Sequence, residues 1–370
     1  MKKKILHIQV LPKLSGVQKI SLEIFKNLSD DEYEKWIFFS ADMDEDNKNI
    51  CTKAFEAVGT KVVFSQRLRR EISFRDFPAF WEIYRLCKKE RFDIVHTNST
   101  KPGIIGRIAA TFAGIPLVIH TVHGLSFHDF TKFPKWQFYW FCEMLASIFC
   151  HKIVLVNQYY KKHFKWFDGK VTTIHNSLDF SEFPDTQSIE REKSPAKILF
   201  VGRLDEQKDP ITLLQAAKKV IKTAPQTLFT LVGDGSKYDE CKLFIGQNNL
   251  ENNVFLEGWK TDVLKYYPTH DIFCSSSIYE AFGLIFLEAG YYGLPVVTTN
   301  VEGISEVVIN EHTGLLSAPK DADKLAENIL KLLKNNKLRK DYGENAKKWV
   351  TTQFAIDKMV KEYAKMYKNT

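Results

Sequence analysis

Short apolar runs alternate along the chain with stretches whose apolar residues recur every three or four positions. KILHIQV (4–10) is the first such run and predicts a strand. GVQKISLEIFKNL (16–28) predicts a helix, with Val17, Ile20, Ile24 and Leu28 at helical spacing. WIFFSA (36–41), DIVHTN (93–98), PLVIHTV (116–122) and KIVLVN (152–157) predict further strands, with helical patterns between them such as GIIGRIAATFAG (103–114). After KVTTIHNSLDF (170–180) the pattern breaks into SEFPDTQSIEREKSPAK (181–197), a linker by its prolines and mixed charge. The alternation then restarts. KILFVGRL (197–204), TLFTLVGDG (227–235), NVFLEG (253–258), DIFCSS (271–276) and PVVTTN (295–300) predict strands, and DPITLLQAAKKVIKT (209–223) a helix.

Strands alternating with helices imply parallel, doubly wound sheets. Two such blocks imply an α/β protein of two Rossmann-like domains facing across a cleft. The expected division is 1–180 and 181–353, with the amphipathic end (about 354–370) forming a helix that packs back on the first domain. A chain of 370 residues with 26% charged and 44% hydrophobic positions suits two ordinary globular domains. The start, MKKKILHIQVLPKLSG, is basic, but its apolar part is short and interrupted by His7, Gln9 and Pro12, so no signal peptide is expected. No apolar run approaches the roughly 18–20 residues of a membrane span. Cysteines 51, 87, 142, 150, 241 and 274 have neither metal-like nor disulfide-framework spacing and read as reduced thiols of a cytoplasmic protein.

Charge is uneven. Residues 1–180 carry 27 Lys and Arg against 19 Asp and Glu, a net of +8, whereas the remainder carries 25 against 26, a net of −1. Either the composition is generally lysine-rich, or the first half meets something anionic such as a lipid phosphate or a membrane surface. No nucleic-acid-binding motif accompanies the surplus.

Ligands of open parallel sheets bind beyond the carboxyl ends of the strands, so residues just after strands are the informative ones. In VGRLDEQKD (201–209), Arg203 follows a strand and Lys208 precedes a helix. A diphosphate needs such cationic donors, Arg as a fixed fork and Lys as a mobile point charge. Alone, two basic residues near a turn are ordinary surface. In EAFGLIFLE (280–288), Glu280 lies in a loop and Phe282, Gly283 and Leu284 straddle a helix start, where free N–H groups favour an anion. Gly283 would let backbone approach a phosphate, and Glu288, about one turn into the helix, could accept hydrogen bonds from vicinal hydroxyls. On spacing alone, two surface glutamates flanking a buried helix would explain the same pattern.

In combination these motifs resemble the retaining glycosyltransferases of family four, with the GT-B fold. The acid–seven–acid pattern Glu280…Glu288, the adjoining GLPVV (293–297), VGRL…QKD, LVGDG (231–235), IHNSLD (174–179) and HTGLL (312–316) occur in the family's order over nearly the whole chain. The resemblance implies that Arg203 and Lys208 grip the donor diphosphate, that Glu288 binds the ribose, and that Glu280 contacts hydroxyls of the transferred sugar. Backbone at Phe282, Gly283 and Leu284 would reach sugar and phosphates, and the strand end at Leu256–Gly258 would border the base. In LPKLSGVQK (11–19), Gly16 would let amides approach the donor phosphate or the acceptor; Ser15 stands where the family often has a first glycine, and Ser177 where Gly is usual in NSLD. Among the histidines of VIHTVHGLSFH (118–128), the family points to His123 as an active-site residue, with no role for His120 or His128.

HTNSTKPGIIGRIAA (96–110) places Asn98, Ser99 and Lys101 at a strand end. With HTVHG it most resembles transferases that build capsule and exopolysaccharide units on a lipid diphosphate carrier, which makes these three candidate acceptor-binding residues; helix capping also accounts for Ser99 and Thr100. FSQRLRREISFRDF (64–77) mixes Arg67, Arg69, Arg70 and Arg75 with phenylalanines and is a candidate for contact with the acceptor diphosphate or headgroups. FTKFPKWQFYWFCEMLASIF (130–149) is either a core helix, the commoner case, or a membrane-facing one.

The expected activity is transfer of a hexosyl or N-acetylhexosaminyl group, with retention, from a nucleoside-diphosphate sugar (UDP by family habit) to a lipid-linked saccharide. No cofactor is expected, and without a metal-spaced cluster or D-x-D the reaction is expected to be metal-independent. The expected place is the cytoplasm, peripherally on the inner face of the membrane through the N-terminal domain. Two alternatives remain: a hydrolysing nucleotide-sugar epimerase of the same architecture, and a non-catalytic sugar-nucleotide-binding subunit.

Overall fold

The computed structural model describes residues 2–69, 76–184 and 195–368. They form two units, Met1–Ser177 with Ile356–Thr370, and Leu178–Ala355. Each is built on one all-parallel sheet.

In the first unit the strands are β1 (Lys3–Ile8), β2 (Tyr33–Ser40), β3 (Thr60–Ser65), β4 (Ile94–Asn98), β5 (Leu117–Val122), β6 (Lys152–Leu155) and β7 (Val171–Thr173), and the helices α1 (Gly16–Lys26), α2 (Glu45–Glu56), α3 (Asp76–Glu90), α4 (Thr100–Phe112) and α5 (Lys135–Ile148). The sheet order β3-β2-β1-β4-β5-β6-β7 reverses direction between β1 and β4, the switch point at which such sheets open toward a ligand. β4 and β5 are buried at every position, as parallel strands are when helices cover both faces. The helix expected over 103–114 begins earlier, at Thr100, because Pro102 is tolerated in a first turn whose N–H groups have no intrahelical acceptor. Phe64 and Ser65, the first residues of the arginine-rich stretch, end β3. The expected helix within 130–149 is α5, and only one side of it is core: Met144, Ala146 and Ser147 are buried while Phe138, Phe141, Leu145 and Ile148 are exposed.

The second unit carries β8 (Lys197–Val201), β9 (Leu228–Val232), β10 (Val254–Gly258), β11 (Ile272–Cys274), β12 (Val296–Thr299) and β13 (Gly314–Ser317), with α6 (Pro210–Thr223), α7 (Tyr238–Gln247), α8 (Leu284–Tyr291), α9 (Ile304–Val307), α10 (Ala322–Lys334) and α11 (Asn336–Gln353). Its order, β10-β9-β8-β11-β12-β13, reverses between β8 and β11. Ile198, Phe200, Leu213, Leu214, Leu231 and Leu325 form the core between that sheet and α6 and α10. The unit's two ends pair, Leu178 N donating to Phe354 O at 3.2 Å.

After Ala355 the chain returns to the first unit as α12 (Ile356–Lys368), which packs against α1. Met359, Tyr363 and Tyr367 are its buried stripe. Lys3 Nζ donates to the carbonyls of Tyr367 and Lys368, both at 3.2 Å, a cation on the negative end of the helix. Among the described residues no helix is long and apolar enough to cross a membrane.

Candidate active site

In the second unit the polar residues gather where β8 and β11 end. Gly233 (φ +149°) lies against Gly202: a Cβ there would sit 1.8 Å from the Gly202 carbonyl oxygen. Only glycine therefore allows the loops after β8 and β9 to run backbone to backbone. Asp205 Oδ1 then accepts from the N–H groups of Gln207 and Lys208, each at 3.1 Å, closing a turn that presents Arg203 on one side and Lys208 on the other. Arg203 is the open cation, with its side chain 54% exposed, steadied by Asp205 Oδ2 at 3.1 Å and Gln207 Oε1 at 2.6 Å. Lys208 is nearly buried, and its ammonium is ion-paired with Glu280.

The partner loop, after β11, is tied to this turn at several points. Ile278 N donates to Gln207 O at 2.8 Å, Gln207 Nε2 donates to Tyr279 O at 3.1 Å, and Ser276 Oγ donates to the carbonyls of Lys208 and Asp209 at 2.9 and 2.7 Å. Arg203, Lys208 and Glu280 are thus one assembly. Gly283, at φ +77°, caps the start of α8 without a side-chain hydrogen bond. A Cβ there would meet the Phe286 ring at 2.5 Å and Glu280 Cγ at 3.3 Å. Glu280 thus lies against the start of α8, where the Phe286 N–H turns back to Gly283 O at 3.0 Å and no side chain caps the helix. Phe282 is 2% exposed and lies edge-on to Phe354, so it offers this site backbone rather than a ring.

Glu288 differs from Glu280. It is 7% exposed, and one carboxylate oxygen accepts from Tyr267 Oη at 2.5 Å. Burial, and then the Glu288 charge, hold the Tyr267 phenol well above its ordinary range, so it remains a donor. Tyr267 in turn stacks on Tyr292, with centroids 5.6 Å apart. Leu256 packs its side chain against the core, so its contribution at the strand end is backbone. Gly258 (φ +69°) turns the chain there, its carbonyl accepting from Gly233 N at 2.9 Å.

In the first unit Gly16 opens α1 and is exposed. Ser15 precedes it without capping; its hydroxyl donates to Gln18 Oε1 at 2.8 Å, and Gln18 Nε2 donates to Leu11 O at 2.9 Å. Beyond β5, His123 Nε2 is 3.0 Å from Asn98 Oδ1. Burial pushes the His123 imidazole down to about 4, so it is neutral near pH 7, and the amide oxygen places its proton on Nε2. Ser99, next to Asn98, has φ +68° and ψ 157°, a conformation that L-residues avoid. It occupies the N-cap of α4 but makes no side-chain cap bond.

Two of the sequence-predicted cations are already engaged. Lys101 is paired with Asp76 at 2.6 Å and Arg69 with Asp42 at 2.6 Å, so each brings its own counter-charge. Arg67 is exposed. Arg70 and Arg75 lie outside the described residues.

Sequence reasoning missed the polar network inside the first unit. Tyr367 Oη lies 2.7 Å from His96 Nδ1 and 3.2 Å from His7 Nε2. His96 Nε2 reaches Thr121 Oγ1 at 2.7 Å, and Thr121 reaches Tyr363 Oη at 3.2 Å. His7 Nδ1 reaches Ser21 Oγ at 3.0 Å. Burial lowers His7 to about 3 and His96 well below its ordinary value. The available signal was a histidine following a run of apolar residues in each of two strands, and two tyrosines four apart on a lysine-rich helix. His120 is buried beside Glu143, which pairs with Arg107 at 2.9 Å. All six cysteines are free.

Residues 14–182 match the family described as Glycosyltransferase Family 4, and residues 182–349 that described as Glycosyl transferases group 1. The chain is similar to a UDP-Gal:alpha-D-GlcNAc-diphosphoundecaprenol alpha-1,3-galactosyltransferase of Escherichia coli, with 31% identity over 98% of this chain and 96% of that protein. It is also similar to the capsular polysaccharide biosynthesis glycosyltransferase CapM of Staphylococcus aureus, with 27% identity over 81% and 83% of the two chains. Among solved structures, Anabaena Alr3699/HepE in complex with UDP and glucose shares the fold, with a TM-score of 0.84 at 19% identity over the full length of both chains. The two Rossmann-like sheets, the matched family regions and the full-length relative agree: the chain belongs to the family 4 glycosyltransferases of GT-B fold and is a glycosyltransferase.

Proposed function

We propose that the enzyme moves a hexosyl or N-acetylhexosaminyl group, with retention, from a UDP-sugar to a hydroxyl of a lipid-diphosphate-linked saccharide in the assembly of a bacterial surface polysaccharide. The observation that carries this reading is the assembly of open Arg203, paired Lys208 and Glu280 at the start of α8, which no side chain caps. A diphosphate arriving there meets one exposed guanidinium and one ammonium that can exchange Glu280 for phosphate oxygen. Glu280, so released, is an acceptor for sugar hydroxyls. Two fixed cations supply the positive charge the leaving diphosphate needs, so the reaction proceeds without a metal or other cofactor. The C1–O bond to the β-phosphate breaks, the acceptor oxygen bonds C1 on the same face, and the departing phosphate oxygen takes the acceptor proton.

In the first unit, neutral His123 with Asn98 offers hydrogen bonds to sugar hydroxyls without adding charge, and Gly16 admits phosphate to backbone amides. Asn98 and Ser99 are the acceptor-side candidates. The pairings of Lys101 and Arg69 weaken their claim as free phosphate ligands, leaving Arg67. The names of the two curated relatives support the acceptor class, and the solved complex with UDP supports the nucleotide. The working place is the inner membrane surface, reached through the first unit.

The test is a panel of UDP-, GDP- and ADP-sugars with and without lipid-linked acceptor in detergent. Acceptor-dependent UDP release is the expected result, with Glu280→Gln lowering kcat by about a hundredfold or more while UDP still binds. Acceptor-independent conversion of the sugar would replace this reading with epimerisation. Nucleotide binding without turnover of any donor would overturn it in favour of a binding subunit.

A further inference from the structure

α5 carries a large apolar stripe on its outward side. Phe138, Phe141, Leu145 and Ile148 recur at three- and four-residue steps and form one outward stripe; Phe141 is 60% and Ile148 59% exposed. Its inward side holds Glu143, buried and ion-paired with Arg107 at 2.9 Å. The core side of α5 is narrow, with Met144 and Ala146 beside Glu143, while its four large apolar residues at these steps face out. The stripe runs into a groove of about 620 Å³ between α5 and the short helical turns Tyr159–His163 and Lys165–Lys170, lined by Trp136, Trp140, Phe141, Lys162, Lys165 and Trp166. Trp136 and Trp140 are stacked, Trp166 stands edge-on to Trp140 at 5.5 Å, and Trp166 is 78% exposed.

We propose that this face of the first unit is a docking surface for an anionic phospholipid bilayer, with α5 lying in the plane of the interface. This deepens the proposed function, since a lipid-linked acceptor explains why the enzyme would need it, but the surface itself is argued from its chemistry. An exposed apolar stripe this continuous marks an interaction site, and tryptophans beside lysines are the side chains that settle at a lipid headgroup boundary. Charge selects the partner. Residues 130–170 contain seven lysines against Glu143 and Asp168, and Glu143 is buried in its pair with Arg107. Such a face attracts an anionic surface. It disfavours a second copy of the chain, because a two-fold contact sets this patch against itself, lysines facing lysines.

The test is co-sedimentation of the full chain with phosphatidylcholine vesicles with and without phosphatidylglycerol. The wild type is expected to bind the anionic vesicles, more weakly as salt rises. Phe141→Ser with Leu145→Ser should lower the partition coefficient by about tenfold or more, and Lys162→Gln with Lys165→Gln by about fivefold on anionic vesicles only. All four positions are exposed, so UDP affinity and thermal midpoint should be unchanged, as should transfer to acceptor in detergent. Wild type that ignores anionic vesicles, or a Ser pair that binds like wild type, overturns the proposal. So does a concentration-dependent dimer abolished by the Ser pair, which assigns the stripe to a second copy. Transfer in detergent without vesicle binding removes the docking surface and leaves the proposed function. Vesicle binding without transfer from any donor does the reverse.

Discussion

The two units are built on the same plan, a parallel sheet that reverses direction next to its first strand, yet they fill the strand ends with opposite kinds of polarity. The second unit uses charge: Arg203 stands open, and nearly buried Lys208 and Glu280 hold each other. The first unit uses neutral groups inside: four imidazoles (His7, His96, His120 and His123) are lowered by burial, and hydroxyls and an amide satisfy them. Charge near solvent is cheap to maintain and easily exchanged for a charged ligand. Buried neutral donors cannot be exchanged, but they hold a fixed geometry without requiring a counter-ion.

The sharpest way to test that contrast is to remove the exchangeable charge. Arg203→Ala with Lys208→Ala should lower kcat by roughly three to four orders of magnitude, because both contacts strengthen as negative charge develops on the leaving diphosphate. Lys208→Arg should recover part of the loss. The unfolding midpoint should also fall, because Lys208→Ala leaves the Glu280 carboxylate, its side chain only 13% exposed, without its partner, so rates are compared well below the variant's midpoint. Single-turnover rates at saturating donor measure this. A loss confined to KM would mean the pair binds substrate and transition state alike.

Acidification probes the other unit. His7 and His123 have folded values near 3 and 4 against an ordinary value of 6.5, so the unfolded chain binds protons first. Their contribution to stability is complete above pH 6.5 and is lost as pH falls toward 4 and then 3, amounting to a few kcal/mol in all. Urea titrations between pH 7.5 and 4.5, followed by hydrogen exchange in β1, β4 and β5, should show these strands loosening before β8 and β11. Uniform acid loss across both sheets would break the comparison.

The sequence showed the charged half of this arrangement more readily than the neutral half, and the reason is separation along the chain. Arg203 and Lys208 sit five residues apart in a turn shaped by Asp205, and Glu280 adjoins a glycine-started helix; local chemistry exposes all three. His7, His96 and Tyr367 meet only because α12 returns after the whole second unit, and no local pattern contains that contact. Spacing did not show how the two acids differ in surroundings: Glu280 holds a nearly buried lysine, whereas Glu288, eight positions on, is buried under Tyr267. For 130–149 the sequence left open a core helix or a membrane-facing one, since the side of a helix that faces the core is decided by its neighbours; in α5 Phe138, Phe141, Leu145 and Ile148 face out. Arg107 supplies that decision by drawing Glu143 inward.

Tyr367→Phe tests the neutral network directly. It removes the hydroxyl shared by His96 Nδ1 and His7 Nε2, leaving two buried ring nitrogens short of a partner at a cost of about 2 kcal/mol. His96 lies two residues before Asn98 on β4, so transfer kinetics at a temperature well below the midpoint report whether the network also positions that strand end. If Tyr367→Phe costs nothing in urea, water or rearrangement satisfies the histidines and the network is not a stabilising device.

The smallest effect should have the opposite sign. Ser99 holds φ +68° and ψ 157° with no cap bond to show for it, a strain of order 1–3 kcal/mol. Glycine adopts that conformation freely but costs roughly 0.5–1 kcal/mol in the unfolded chain, so Ser99→Gly should stabilise the first unit by about 1 kcal/mol. Strain kept at a strand end beside Asn98 and His123 makes sense if the hydroxyl contacts the acceptor. The variant should then be more stable and yet show a raised KM for acceptor, with donor KM unchanged. Greater stability with unaltered kinetics would leave the strain real and Ser99 without a part in acceptor binding. A fall in stability would mean that the serine is held there by contacts worth more than the strain.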